Sequence, residues 1–233
     1  MTTSHSDRSR GLVSLFGACL LLGSIALAGC ETSDDEPEPA SAPPPAPPNP
    51  PSPGAPPLAA PVIPLDGTPP PAIGSSYWGA GGTSTGGQGQ PVGDLECVYP
   101  SPIEYHVHAH LSILLNGEAL SIPGHVGIVE LTPTTECHYP VHTHDRTGMI
   151  HLHGTEPTDF TLGQFFAIWG QPLERNNVAG HVGLPAVVYV VDDGVASEYT
   201  GDLTALQLIS RRHITIQLGT PITAIPQFTW TGP

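Results

Sequence analysis

The chain has 233 residues, with 21 acidic side chains against six basic ones and a formal net charge of -15. All six basic residues are arginines, and there are 12 histidines. Nucleic-acid binding requires clustered Lys and Arg side chains that displace counterions from phosphates, so this composition excludes it. An acidic chain attracts cations instead.

The first thirty residues have the layout of an export signal. Two arginines precede an apolar run, residues 11–28, which has the length of a secretory signal and is short for a membrane span. The run ends in Leu27-Ala28-Gly29-Cys30, which resembles the lipobox of bacterial lipoproteins. The resemblance implies that residues 1–29 are a signal peptide, that Cys30 is lipidated, and that this lipid anchors an exported protein in the bacterial cell envelope. By analogy with that class, Glu31 favours the outer membrane.

Residues 30–93 lack the apolar periodicity of helices and strands. An acidic start is followed by a Pro/Ala tract and then, from Gly74, by a stretch rich in Gly, Ser, Thr and Gln. Proline-rich segments behave as semi-rigid spacers, and Gly/Ser-rich segments behave as flexible coils. We therefore predict a disordered tether over residues 30–93 and one folded domain over residues 94–233.

The domain is predicted to be mainly β, because short apolar runs rich in Val and Ile alternate with turn signals. The pattern predicts a hairpin over residues 104–122 with Asn116-Gly117 at its turn, a second hairpin over 186–199, and a late strand over 213–218. One short helix should begin at the capping box of residues 161–164 and end at Gly170. The expected fold is an antiparallel β-sandwich or small barrel with this helix against one end or face.

Two cysteines lie in the domain, Cys97 and Cys137, and each comes shortly before a histidine-rich run. In an exported protein an even pair favours a disulfide, because the compartment is oxidising. The bridge would hold the two runs together. The rival interpretation makes Cys137 a metal ligand beside His138.

Histidine spacing is the most informative feature, since eleven of the twelve histidines fall in the domain. Residues 105–111 read Tyr-His-Val-His-Ala-His-Leu. On a strand, alternate side chains share a face, so the three histidines point one way and the apolar residues point to the core. The first run therefore places His106, His108 and His110 on one polar face.

The second run, residues 141–153, has the outline of a hairpin that turns at Asp145-Arg146-Thr147-Gly148. If the turn closes directly, His142 lies opposite His151 and four histidines share a face with Met149. If Gly148 forms a bulge, the register slips by one residue. The apolar pattern favours the unslipped register, in which Val141 and Thr143 join Ile150 and Leu152 on the core side.

These runs predict a transition-metal site, because neutral imidazole is the commonest metal ligand in proteins and the His-x-His pattern occurs at three places. Imidazole ligands suit Cu(II) or Zn(II). A blue-copper site is disfavoured because it requires a free Cys, and calcium is disfavoured because no loop converges oxygen ligands. The predicted ligands are His106, His108, His110, His142, His144, His151 and His153.

Carboxylates and the remaining histidines give weaker signals. Glu104 lies on the His106 face and is the more plausible residue to support a ligand, whereas Asp145 is best explained as the turn residue that could also orient a ligand imidazole. His138 could be a metal ligand or a loop residue without a metal role. The sequence does not decide between these two roles for His213. His125 and His181 follow Gly in predicted loops and are expected to have no metal role.

Three functions remain open at this point. The first is a lipid-anchored protein that binds a metal ion; the second is a metal-dependent hydrolase or oxidoreductase that uses three of the same histidines; the third is an interaction module with a pH-sensitive histidine face. The cupin pattern is incomplete, because the Glu expected shortly after His108 is absent. Residues 106–115, 142–145 and 160–170 resemble a motif set in uncharacterised secreted bacterial proteins, which implies no known activity, and the sequence does not indicate a protein partner.

Overall fold

A computed structural model describes residues 54–60, 63–65, 72–81 and 85–230. The predicted signal peptide, Cys30 and the first part of the predicted tether lie outside the described residues. Within the described ranges the structure contains the helices α1 (Leu162–Trp169) and a 3-10 helix (Leu203–Ala205). Its strands are β1 (Ile63–Pro64), β2 (Tyr105–Leu115), β3 (Glu118–Leu120), β4 (Ile128–Thr132), β5 (Thr135–His138), β6 (Val141–His142), β7 (Met149–Gly154), β8 (Phe160–Thr161), β9 (Leu173–Glu174), β10 (Asn177–Val178), β11 (His181–Val182), β12 (Ala186–Asp192), β13 (Val195–Glu198), β14 (Gln207–Leu208), β15 (His213–Leu218) and β16 (Phe228–Thr229).

The principal sheet has seven strands, in the order β13-β12-β15-β2-β7-β6 with β3 paired to β2. Four smaller sheets surround it. The described part of the chain is therefore mainly β with one α-helix, as predicted, and its sheets do not close into a barrel. One feature of the principal sheet differs from the antiparallel expectation, because β15 pairs with β2 in parallel.

Both predicted hairpins and the predicted helix form. Asn116 and Gly117 have positive φ angles at the turn between β2 and β3. Asp193 and Gly194 also have positive φ angles, at the turn between β12 and β13. The Thr161 side chain and the Gln164 side chain form the reciprocal capping box, and Gly170 ends α1 in the left-handed conformation. The 8-residue α1 is the only α-helix among the described residues, and none of their helices has the length and apolarity to cross a membrane.

The core lies between the apolar face of the principal sheet and α1. Leu111 and Ile113 of β2 are fully buried there, as are Phe165 and Trp169 of the helix. Burial of large apolar side chains is the main stabilising contribution to such a fold, at about 1.5–3 kcal/mol for each. Because β2 has its apolar face against this core, its histidines are directed to the opposite face.

Described residues before residue 94, within the predicted tether, contact the domain at several points. Strand β1 pairs in parallel with β16, and the Ser75 amide donates to the Ala119 carbonyl at 2.9 Å. The Trp78 ring lies 4.9 Å from that of Trp169. These contacts depend on single residues between prolines and glycines. The sequence there has no apolar periodicity from which the contacts could be predicted.

Cys97 and Cys137 form the predicted disulfide. Next to it, the Val98 and His138 backbones exchange two hydrogen bonds of 3.0 Å. The bridge thus holds the segment before β2 against β5 and fixes the position of His138.

Candidate metal centre

Three adjacent strands of the principal sheet bring the histidines together. In the β2–β7 pair His106 lies opposite His153 and His108 opposite His151, and in the β6–β7 pair His142 lies opposite His151. The unslipped register is therefore confirmed, with Val141 opposite Leu152 and both buried in the core. A one-residue slip would have exposed this apolar pair, which is why the pattern decides the register.

The turn between β6 and β7 is held by Asp145. Its Oδ1 accepts hydrogen bonds from the Thr147 backbone at 2.8 Å and from the Thr147 hydroxyl at 2.6 Å. Gly148 has a positive φ of 87°, and a Cβ there would lie 2.3 Å from the Leu111 carbonyl oxygen. Asp145 is thus the turn residue that the sequence predicts, and Gly148 is required by close backbone contact.

The histidines form three overlapping groups, in each of which three ring nitrogens lie within 4.8 Å of one another. We name them by their exposure. The outer triad is His106, His108 and His151; the middle triad is His142, His144 and His151; the inner triad is His138, His142 and His153.

In the outer triad, Nδ1 of His151 lies 3.2 Å from Nε2 of His106 and 3.1 Å from Nε2 of His108. In the middle triad, the Nε2 atoms of His142 and His144 are 3.3 Å apart. Two nitrogens that bind one tetrahedral Zn(II) at about 2.05 Å are separated by about 3.3 Å. The observed separations therefore match those of two ligands on one ion.

The inner triad is the most buried. One nitrogen of each of its imidazoles lies near a polar group outside the histidine cluster. Nδ1 of His142 lies 2.8 Å from the Tyr139 carbonyl, Nε2 of His138 lies 3.0 Å from Glu136 Oε1, and Nδ1 of His153 lies 3.4 Å from Ser101 Oγ. A carbonyl or carboxylate partner accepts the ring proton and leaves the other nitrogen as the ligand atom.

The ligand atoms follow from these contacts. Nε2 of His142 faces the cluster because Nδ1 donates to Tyr139. Nδ1 of His138 and Nε2 of His153 are buried and have no hydrogen-bond partner among the described residues. Buried nitrogens without a partner are costly, and a bound ion would satisfy them.

Burial lowers the pKa values of five histidines in the cluster. Desolvation, followed by repulsion from neighbouring imidazoles, lowers the pKa of His153 to about 4 and the pKa of His142 well below its ordinary value. The pKa values of His106, His144 and His151 are lowered as well, first by desolvation. Neutral imidazole is the form that binds metals, so the cluster is ready to bind at neutral pH. The lowered pKa values disfavour a histidine face that titrates near 6.5.

Six of the seven predicted ligands belong to the triads, and His110 does not. Its ring is buried on the same face of β2 but lies at a different point along the strand, against Phe228 at 3.9 Å and His213 at 5.4 Å. The seven predicted ligands therefore share a face of the sheet but do not form one contiguous group. Strand alternation specifies the face of a side chain, whereas its neighbours depend on the strands that dock alongside.

His138 takes the place of His110 in the cluster. The sequence left its role undecided, although its position beside Cys137 was a usable signal, because the disulfide ties β5 to the segment before β2, which carries His106 and His108. The carboxylate that accepts a hydrogen bond from a triad imidazole is Glu136, which contacts His138. Glu104, the predicted supporting residue, is exposed and makes no described hydrogen bond to the cluster. His125 and His181 belong to none of the three triads.

Comparisons with protein-family models, curated protein sequences and solved structures found no match for this chain. The functional argument therefore depends on the geometry of the histidine cluster.

Proposed function

We propose that this protein binds transition-metal ions, Cu(II) or Zn(II), through the three histidine triads. The observation that carries the proposal is the convergence of three ring nitrogens within 4.8 Å at each triad, without any lysine or arginine in the group. Packing does not require a cluster of seven imidazoles, and imidazole suits both metals. The net charge of -15 favours the approach of cations.

The shared ligands set the capacity of the cluster at two ions. His142 has one available nitrogen because its Nδ1 donates to Tyr139, so the middle and inner triads exclude each other. The outer and middle triads share His151. The outer and inner triads have no residue in common, and they are the pair that can be filled together without a bridging imidazole.

Metal stoichiometry tests this proposal directly. The full chain, exported to an oxidising compartment and purified without an affinity metal, should take up two equivalents of Zn(II) or Cu(II) at micromolar concentration, measured by elemental analysis after gel filtration. Less than one equivalent of either metal would refute it.

Single substitutions separate the two sites. His142→Asn removes the middle and inner triads and should leave one ion; His151→Asn removes the outer and middle triads and should also leave one. The double variant should bind none tightly. His125→Asn is the matched control, since this histidine is exposed outside the triads and Asn tolerates its positive φ of 62°. Two ions retained by the double variant would show that the ligands are assigned wrongly.

We further propose that the protein is exported, is lipid-anchored through Cys30 in the bacterial envelope, and captures metal ions at the outer membrane. The support is the resemblance of residues 27–30 to a lipobox, which lies outside the described residues. Mass spectrometry of the membrane fraction should find a diacylated N-terminal peptide that begins at Cys30. A Cys30→Ala variant should lack that peptide, and an unmodified Cys30 in the wild type would refute the anchor.

A cavity beside the middle triad favours a metal-dependent enzyme as the second candidate. It has a volume of about 650 Å³ and is lined by Trp78, His125, His144 and Asp145, among others. An ion held by three histidines keeps a fourth position for water or substrate, and this volume suits a small molecule. Azide added to the Cu(II)-loaded protein should give a charge-transfer band if that position is open. Absence of the band would indicate a closed site and favour binding alone.

A further inference from the structure

A second group of potential ligands lies in one row across the principal sheet. Met149 of β7 is in register with His110 of β2, and His110 is in register with His213 of β15. Residues in register on neighbouring strands project to the same face with their Cβ atoms about 5 Å apart. A thioether and two imidazoles therefore stand side by side. None of the three belongs to the outer, middle or inner triad.

Both imidazoles in this row have a buried nitrogen that nothing satisfies. His110 is 0% exposed, and its Nε2 lies 2.9 Å from the Thr147 carbonyl, to which it donates. Its Nδ1 has no partner among the described residues, and the same holds for Nδ1 of His213, which is 9% exposed. An unpartnered buried nitrogen costs about 1–3 kcal/mol. Two of them on adjacent strands point to a missing ligand.

The two rings are spaced like rings that share an ion. Their centroids are 5.4 Å apart, within the 4.3–6.0 Å found between neighbouring rings of the triads. Phe228 lies 3.9 Å from the His110 ring and 5.5 Å from the His213 ring, and Trp230 lies 4.7 Å from His213. Aromatic faces attract a desolvated cation and exclude water from it.

We propose that Met149, His110 and His213 form a separate site for Cu(I). Thioether sulfur is a soft ligand that selects Cu(I), and a dry, aromatic-covered site suits a monovalent ion better than a strongly hydrated divalent one. A cavity of about 200 Å³, lined in part by His213, Phe228 and Trp230, borders the His213 end of the row. The site is independent of the triads, which offer only imidazole.

The test is an anaerobic titration of the full chain with Cu(I), using ascorbate as reductant and a chromophoric Cu(I) chelator as competitor. Met149 is one of two methionines in the sequence, the other being Met1. Met149→Leu keeps the shape of the side chain and removes the sulfur, so it should weaken Cu(I) retention at least tenfold. It should also remove a copper–sulfur distance seen by X-ray absorption in the wild type.

Two further variants make the outcome decisive. His213→Asn should weaken Cu(I) retention without removing the sulfur ligand. The His142→Asn, His151→Asn double variant should keep the Cu(I)–sulfur signal while it loses the divalent ions, so the two proposals can fail separately. Equal Cu(I) affinity in the wild type and Met149→Leu, or a wild-type copper spectrum without sulfur, would overturn the proposed site.

Discussion

Lowering the pH should destabilise the metal-free protein steeply, because its buried histidines resist protonation in the folded state. Desolvation lowers the pKa values of His110, His153 and His213 to about 3, 4 and 4. In the unfolded chain each has its ordinary pKa of about 6.5. The unfolded state therefore binds more protons below pH 6.5, and the stability present above that pH is lost as the pH falls from about 6.5 towards 4.

The size of the effect follows from these values. Between pH 8 and pH 5.5, a histidine whose pKa falls from 6.5 to about 4 on folding loses about 1.4 kcal/mol of stability. The three residues together lose about 4 kcal/mol, a large part of the 5–15 kcal/mol typical of a folded domain. With an m-value of about 2 kcal/mol/M, the urea midpoint should fall by about 2 M.

Urea unfolding in EDTA, followed by tryptophan fluorescence at pH 8 and pH 5.5, measures this fall. Trp169 is buried in the core and reports the loss of packing. His213→Asn should reduce the pH-dependent loss of unfolding free energy by about 1.4 kcal/mol, the contribution of one such histidine. Equal midpoints at the two pH values would refute the reasoning, because the imidazoles would then be protonated in the folded state or solvated by paths that the structure does not contain.

Three other changes give distinct results. Replacing both cysteines of the disulfide by Ser frees a loop that spans a sequence separation of 40 and should cost about 4 kcal/mol of unfolding free energy, measured with urea. Gly148→Ala places a Cβ 2.3 Å from the Leu111 carbonyl oxygen and should lower the melting temperature by several degrees, whereas alanine at exposed Gly194 meets no atom and is strained only by its φ of 78°. Glu136→Gln weakens the acceptor for the His138 ring and should lower Zn(II) affinity about tenfold at one of the two sites, measured by competition with a chelator, with Glu104→Gln as the silent control.

The local sequence predicted the helix, the hairpins and the strand register, because helix capping and apolar alternation act between residues close in the sequence. The capping box and Gly170 fix both ends of α1, and Val141 opposite Leu152 fixes the hairpin that carries four of the triad histidines. The disulfide followed from an even cysteine count in a domain that the sequence predicts to be exported. Each of these inferences needs no knowledge of the rest of the fold.

Distant pairings explain what the sequence did not predict. His110 leaves the cluster because β15, more than a hundred residues later, docks in parallel beside β2 and brings His213 to it. His138 enters the cluster because of the position of β5, which the sequence does not specify alone. The packed segments before residue 94 contact the domain through single residues such as Trp78, so composition predicted a tether there.

The overlap of the triads has a kinetic consequence. An ion that moves from the outer to the middle triad keeps His151, and one that moves from the middle to the inner triad keeps His142. Under the proposed function, transfer into the buried site proceeds by exchanging ligands around a retained imidazole, without a step in which the ion is fully rehydrated. Release follows the same ligand exchanges in reverse order. Dissociation from the inner triad is therefore slow in dilute solution, and it is fast when an acceptor offers its own imidazole or thiolate at the exposed outer triad.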